Sequence, residues 1–215
     1  GGARGGAHIG VLKELERRRS PIDAIAGTSM GAIVGGLYAT GSRPSERASR
    51  LGSLVWAGAL ADKPDREDLC FRRKEDDAEV PIDIELGLRG TSLVLPKGVV
   101  QGQNLDLLLR KLTLGVSHVD DFDQLPIPFR ALASDIERGE IHVMAGGDLA
   151  RAIRASMSVP AVFTPVRMDG RLLVDGGLVG NLPVNVMQEM DVDVIIAVDV
   201  EFPLYTSEQL ESALT

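Results

Sequence analysis

The pentapeptide Gly27-Thr28-Ser29-Met30-Gly31 contains the residue types that a nucleophilic serine needs. A nucleophile at a sharp turn from a strand into a helix has a strained backbone, and small flanking residues let the chain turn and a substrate approach. The amides at the start of the following helix can stabilise a developing negative charge. The pattern therefore indicates Ser29 as a nucleophile, with Gly27 and Gly31 forming its turn.

The context of this pentapeptide strengthens the interpretation. Gly-x-Ser-x-Gly alone is a weak signal here, because the 215 residues include 24 glycines. The motif follows a short apolar run at 23–26, which predicts a buried strand, and precedes an apolar helical stretch at 32–40. A turn with no catalytic role is the alternative.

A serine hydrolase also needs a base, and the histidines are poorly placed to supply it. The common order along α/β-hydrolase chains is Ser, acid, His, whereas His8, His118 and His142 all precede the best acid candidate, Asp175. We expect His142 in an apolar strand, His118 in a polar loop and His8 packed on its own helix. A Ser-His-Asp triad is thus disfavoured, and a serine with a carboxylate base is favoured.

The sequence Asp175-Gly176-Gly177 offers that carboxylate at the end of a strand predicted over 171–174. Ligand sites of open parallel sheets lie at the carboxyl ends of the strands. The two glycines leave room beside the carboxylate for a second group, such as the Ser29 hydroxyl. An ordinary Asp-Gly turn is the alternative interpretation.

A glycine-rich loop at residues 1–6, GGARGG, directly precedes a helix predicted over about 7–19. Loops of this kind present backbone amides to anions. The spacing matches neither the dinucleotide-binding pattern nor the phosphate-binding loop with its lysine. An oxyanion hole fits better, because it needs amides and no lysine.

The remaining pattern alternates between strands and helices. We predict helices at 43–60, 103–114, 148–157 and 183–190, and strands at 129–133, 141–144, 171–174 and 194–198. The run at 194–198 is apolar and mostly β-branched, as in parallel strands buried on both faces. For residues 61–102 the pattern predicts an irregular insertion. The alternation predicts one α/β domain with a mostly parallel sheet.

Composition narrows the classes of function. The net charge is −8 and aromatic residues make up 4%, which disfavours nucleic acid as a partner. The single cysteine, Cys70, excludes an internal disulfide and a cysteine-rich metal site. No uncharged apolar run is long enough to span a bilayer. Two basic clusters, 17–19 and 72–74, fit either peripheral contact with phospholipid headgroups or solvated surface charge.

These motifs together resemble those of the patatin-like phospholipases. That family has a G-G-G-x-R-G loop, matched by Gly1, Gly2, Arg4 and Gly5, then a G-x-S-x-G turn and a D-G-[GA] motif. The stretch 154–166 is also similar to the family's segment before its last strand. The resemblance covers nearly the whole chain and implies a three-layer α/β sandwich, with helices on both faces of a mostly parallel sheet.

The resemblance implies a site in which Ser29 is the nucleophile and Asp175 the general base, with no metal and no cofactor. Its oxyanion hole would be formed by the loop, comprising Gly1, Gly2, Ala3, Arg4 and Gly5. The implied activity is hydrolysis of a phospholipid or another acyl-ester lipid through an acyl-enzyme. A lipid transacylase with the same dyad and a non-catalytic lipid-binding module are the alternatives.

The resemblance also predicts that residues 1–215 form one domain, with its first strand missing before Gly1 and its end truncated at Thr215. Bacterial members are the most similar, especially the patatin domains of autotransporter phospholipases and their cytoplasmic relatives. This leaves the location open between the cell surface or secretion and the cytoplasm. The sequence does not fix the oligomeric state, and a homodimer is compatible with it.

Overall fold

The computed structural model describes residues 5–41, 87–89, 92–94, 102–160 and 162–200, and of 87–89 and 92–94 only the backbone. The helix predicted over 43–60, the basic cluster at 72–74 and most of the predicted oxyanion loop lie outside these residues. The described helices are α1 (Gly6–Arg17), α2 (Met30–Ala39), α3 (Gln103–Thr113), α4 (Leu149–Ser156) and α5 (Val184–Gln188). The strands are β1 (Ile25–Thr28), β2 (Gly87–Arg89), β3 (Ser92–Val94), β4 (Phe129–Asp135), β5 (Glu140–Met144), β6 (Val166–Met168) and β7 (Arg171–Asp175).

Strand β4 is the centre of a five-stranded sheet. Strand β5 runs antiparallel along one edge of β4, opposite residues 131–135. The other edge is therefore shared, end to end, by two strands that run towards each other. The parallel strand β1 ends with Thr28 opposite Leu132, and the antiparallel strand β7 ends with Asp175 opposite Ala133. Strand β6 pairs with β7, and β2 and β3 form a separate hairpin.

The predicted α/β class is confirmed, with helices on both faces of the sheet. The described part of the sheet is mixed, however, since only the β1–β4 pair is parallel. Strands β4 and β5 are joined through residues 136–139, and β6 and β7 through 169–170. Connections this short can only join antiparallel strands, because a parallel neighbour needs a long crossover.

The strand predicted over 194–198 is wrong for this structure, which has no strand there. Val194 is 77% exposed and Ile196 is 60% exposed, so this apolar run is not buried. A β-branched composition favours extended backbone, but a strand also needs a neighbour that completes its hydrogen bonds. In this structure, 194–198 pairs with none of the described strands.

Helix α2 packs closely on the sheet, and its glycines make that approach possible. Ile33 and Leu37 are buried in the core with Phe129 of β4. A Cβ atom on Gly36 would lie 2.8 Å from Ile153 Cδ1 and 3.1 Å from Phe129 Cζ. Helix α2 is thereby held close to β4. None of the described helices is both long enough and apolar enough to cross a bilayer.

The end of β4 carries a fully buried carboxylate, Asp135. It accepts hydrogen bonds from the Arg138 guanidinium at 2.7 Å, from the Glu137 N–H at 3.0 Å and from the Arg171 guanidinium at 3.1 Å. The Arg138 guanidinium, with these other donors, holds the pKa of Asp135 below its usual range. Asp135 therefore connects the β4–β5 turn with β7, the strand that ends at Asp175.

We predict that Asp135 makes folding stability sensitive to acid. Because its pKa is lower in the folded chain, its contribution is complete above the ordinary carboxyl pKa of about 3.9. The contribution is lost as the pH falls through the lower folded pKa. Thermal unfolding between neutral and acid pH should show Asp135→Asn melting below wild type at neutral pH, with the difference shrinking in acid.

The matched control for this prediction is Asp123→Asn. Asp123 also pairs with an arginine, Arg130, at 2.6 Å, but it is exposed and should contribute little. An Asp135→Asn protein that melts like wild type at neutral pH would contradict the role given to this carboxylate.

Candidate active site

Ser29 lies at the turn from β1 into α2 and has φ 54° and ψ −120°. Such a backbone is rare for a residue with a side chain, and outliers of this kind typically cost about 1–3 kcal/mol. The Ser29 carbonyl accepts the N–H groups of Ala32 and Ile33, so the helix starts directly behind the serine. The predicted strand, turn and helix are therefore all present, with Ser29 at the strained position.

Gly27 and Gly31 occupy the two sides of this turn, as expected. A Cβ atom on Gly27 would lie 2.5 Å from the Gly31 carbonyl oxygen and 2.7 Å from the Ala32 nitrogen. Real Cβ atoms do not approach backbone this closely, so only glycine fits at position 27. The strand end and the helix start are consequently in direct contact.

Asp175 lies at the end of β7 and is buried, with 7% of its surface exposed. Its carboxylate accepts the Gly177 N–H at 2.8 Å, and its own N–H donates to the Ser158 carbonyl at 2.9 Å. Among the described residues, no hydrogen bond joins this carboxylate to the Ser29 hydroxyl. The backbone around Asp175 is thus fixed, while the contact with Ser29 is not formed in this structure.

The turns that carry the serine and the aspartate meet over β4. A Cβ atom on Gly176 would lie 2.5 Å from the Leu132 carbonyl oxygen and 2.8 Å from Thr28 Cγ2, so this position also needs glycine. The Thr28 hydroxyl donates to the Gly180 carbonyl at 3.3 Å, which joins β1 to the loop after Asp175. Residues 29 and 175 therefore leave the sheet at the same place.

Of the predicted oxyanion loop, the structure describes only Gly5, and residues 1–4 lie outside the described part. Gly5 is buried at the start of α1, and a Cβ atom there would overlap Met30 Cγ. The end of the glycine-rich loop is thus in contact with the residue that follows Ser29. The role of this loop as an oxyanion hole stays a prediction.

The three histidines occupy different surroundings. His142 lies in β5 opposite Ala133, and burial lowers its pKa. His118 is exposed in a turn, as expected. His8 differs from the expectation that it packs on its own helix, because its Nε2 lies 3.8 Å from the position a Gly31 Cβ would take. Burial lowers the pKa of His8, which favours its neutral form.

Two buried serines at the end of α4 were given no role from the sequence. The Ser29 N–H donates to Ser156 Oγ at 3.0 Å, and the Ser158 carbonyl accepts the Asp175 N–H. The segment that contains them resembles the patatin-like family, but no residue type or spacing identified either serine as a contact of the site. Both contacts depend on how α4 ends over β4.

The basic cluster at 17–19 is at least partly paired at the surface. Arg17 and Arg18 both bind the Glu14 carboxylate at 2.7 Å, and all three side chains are exposed. This favours the solvated helix end over a headgroup site. In the part of the chain that the structure describes, no group of three or more histidines, cysteines and acidic residues is arranged to hold a metal ion.

The fold and the site define an α/β protein in which a strained serine turn and a buried aspartate meet at the centre of the sheet. This chain belongs to the patatin-like phospholipase family, whose model matches residues 1–187. The family predicted from the motifs is thereby confirmed.

Individual relatives agree with this assignment. An uncharacterized NTE family protein of Mycobacterium bovis is 34% identical over 199 residues, which cover 92% of this chain and 46% of the relative. The lysophospholipase NTE1 of Mycosarcoma maydis is 35% identical over 201 residues, 93% of this chain and 9% of that protein. The chain thus spans at most about half of these relatives. They do not test the narrower likeness to autotransporter phospholipases.

A solved structure has a similar fold. VipD from Legionella pneumophila superposes with a TM-score of 0.53 at 14% identity, over 85% of this chain and 45% of VipD. At this identity the likeness concerns the fold alone.

We predict that Gly27→Ala disrupts the turn. The new Cβ would force the end of β1 away from α2, and a shift of about 1 Å at a reacting group costs on the order of 100-fold in rate. Overpacking of this kind also lowers the free energy of unfolding by about 1–3 kcal/mol. Ester hydrolysis and thermal unfolding measure the two effects.

Gly10→Ala is the matched control, because a Cβ there meets nothing within 4 Å. Gly10 lies inside α1, where alanine should stabilise the helix by up to about 1 kcal/mol and leave the rate unchanged. Wild-type activity in Gly27→Ala would contradict the geometry described for the turn.

Proposed function

We propose that this chain is a lipid acyl hydrolase of the phospholipase A or lysophospholipase type, with Ser29 and Asp175 as a catalytic dyad. The observation that carries the proposal is the meeting of β1 and β7 at Leu132 and Ala133, which brings both residues to one point. Membership of the patatin-like phospholipase family supports lipid esters as the substrates. The lysophospholipase name of a relative that matches 93% of this chain agrees with it.

In the first half-reaction, Asp175 accepts the proton of Ser29 Oγ as that oxygen attacks the ester carbonyl carbon. The negative charge on the carbonyl oxygen is stabilised by the Met30 N–H at the start of α2, together with amides of the glycine-rich loop. The tetrahedral intermediate then expels the alcohol portion of the lipid, which takes the proton from Asp175. The acyl group remains on Ser29 as an ester.

In the second half-reaction, water attacks the acyl-enzyme. Asp175 accepts a proton from the water, the bond to Ser29 Oγ breaks, and Ser29 regains its proton as the fatty acid leaves. The Gly177 N–H, which binds one carboxylate oxygen of Asp175, fixes the orientation of the carboxyl group. The other carboxylate oxygen is the one to which we assign the proton.

The amide of Ser29 itself has no part in stabilising the oxyanion in this scheme. Its N–H points inward and binds Ser156 Oγ. The first N–H groups of a helix have no acceptor one turn earlier within it. In α2 the Ala32 N–H donates back to the Ser29 carbonyl, so Met30 and Gly31 are the amides that can face a substrate oxygen. Gly5 lies against Met30, which supports a shared oxyanion hole formed by the helix start and the loop.

His8 is the rival candidate for the base, because its Nε2 lies near Gly31 and burial favours its neutral form. Asp175 is favoured over it by the strand register, which places Asp175 beside the end of β1. A histidine base would also need an acid to orient it, and the hydrogen bonds of the described residues include none from His8 to a carboxylate.

The test is hydrolysis of phospholipid and lysophospholipid, with the released fatty acid identified by mass. Ser29→Ala and Asp175→Asn should each lose at least about 1,000-fold in rate, as expected when one member of a catalytic pair is removed. His8→Gln should retain the rate to within about tenfold, since it removes no group of the scheme.

Matched controls come from exposed positions of the same residue types. Ser117→Ala and Asp120→Asn change surface residues and should behave as wild type. Activity that survives in both Ser29→Ala and Asp175→Asn would refute the dyad. If His8→Gln loses hydrolytic activity while Asp175→Asn retains it, His8 and not Asp175 would be the base. Lipid binding without any fatty acid release would favour the non-catalytic module.

A further inference from the structure

The Ser156 hydroxyl lies between the serine turn and the central strand. Ser156 is the last residue of α4 and is fully buried. Its Oγ accepts the Ser29 N–H at 3.0 Å and donates to the Leu132 carbonyl oxygen. Leu132 is the residue of β4 opposite Thr28, directly before the nucleophile. The Ser156 hydroxyl therefore connects the serine turn to β4, the strand that pairs with β1.

This position matters because the backbone of Ser29 is strained. A residue with φ 54° and ψ −120° keeps that conformation only if its surroundings fix it. On the carbonyl side, Ser29 is fixed by the start of α2. On the amide side, the hydrogen bond to Ser156 is the contact that the structure gives it. The direction of the Ser29 side chain follows from both restraints.

The same segment also contacts the second member of the proposed dyad. Two residues after Ser156, the Ser158 carbonyl accepts the Asp175 N–H at 2.9 Å. Ser158 is itself fixed, because its hydroxyl donates to the Arg154 carbonyl at 2.9 Å and accepts from the Arg154 guanidinium at 2.7 Å. The segment at the end of α4 thus accepts hydrogen bonds from the backbone N–H groups of both Ser29 and Asp175.

We infer that Ser156 is a positioning residue for the nucleophile: its hydroxyl fixes the Ser29 amide and so directs Ser29 Oγ towards the substrate and Asp175. The inference rests on the proposed function. Thr113 offers a contrast, because its buried hydroxyl donates to the Leu109 carbonyl of its own helix, outside the site.

The first measurement is the rate at which an alkyl fluorophosphonate labels Ser29, followed by intact mass. All variants are compared at one temperature, at which thermal unfolding shows each of them to be fully folded, so that a loss of stability alone does not change the rate. Ser156→Ala should label about 10- to 100-fold more slowly, the effect of misplacing a reacting group. The kcat for a short-chain ester should fall equally, with KM within about twofold, because substrate binding is not altered.

Two further variants separate positioning from stability. Ser156→Thr keeps the hydroxyl and should recover labelling to within about fivefold of wild type. Thr113→Ala removes a buried hydroxyl outside the site and should label within about twofold of wild type. If Ser156→Ala does not fold, Ser156→Cys replaces it, since a thiol has similar size and accepts only weakly, and should also label more slowly.

Wild-type labelling in Ser156→Ala or Ser156→Cys would overturn the inference and leave the proposed function intact. An equal loss in Thr113→Ala would overturn it too, because the effect would then follow stability. A wild-type protein that takes no label on Ser29 would overturn the proposed function, and the inference with it.

Discussion

The meeting of β1 and β7 end to end on one edge of β4 is the constraint on which the site depends. Each strand contributes one residue of the proposed dyad at or just after its last position, and each register is set by β4. Six of the seven residues of β4 are buried, so its register is strongly specified. A slip of one residue in either strand would reverse its faces and separate Ser29 from Asp175.

The strained backbone conformation of Ser29 is maintained by the sheet and by the elements packed on it. A conformation such as that of Ser29 is unfavourable by itself and persists because several elements hold it. Helix α2 is fixed by its apolar side chains and by glycines that allow it close to Phe129 and Ile153. Because Gly27 and Gly176 have no side chains, the two turns pack directly against neighbouring backbone atoms. The end of α4 forms hydrogen bonds with both turns. The backbone on both sides of the site is thus held by several elements.

Much of this arrangement could be predicted from the sequence. Gly27, Ser29 and Asp175 were predicted from short motifs in which glycine flanks a polar side chain, and the structure brings their two turns together. Their catalytic roles are part of the proposal. The helices and strands that flank them follow from apolar periodicity. The antiparallel direction of β7 could not be predicted from the sequence, because an apolar pattern does not indicate which strand it pairs with. Ser156 was missed for the same reason: its importance arises from contacts with residues 24 and 127 positions away.

The strand predicted over 194–198 shows the limit of composition. Its β-branched residues favour extended backbone, but pairing decides whether a strand forms, and 194–198 pairs with none of the described strands. The first strand expected before Gly1 and the oxyanion role of residues 1–5 stay predictions.

The most direct test of the central claim is a crystal structure of the protein with an alkyl phosphonate bound covalently. We predict that the phosphorus is attached to Ser29 Oγ, that the Asp175 carboxylate lies beside that oxygen, and that the Met30 N–H faces a phosphonyl oxygen. Attachment to another residue would contradict the account. A His8 nitrogen in the place predicted for Asp175 would also contradict it.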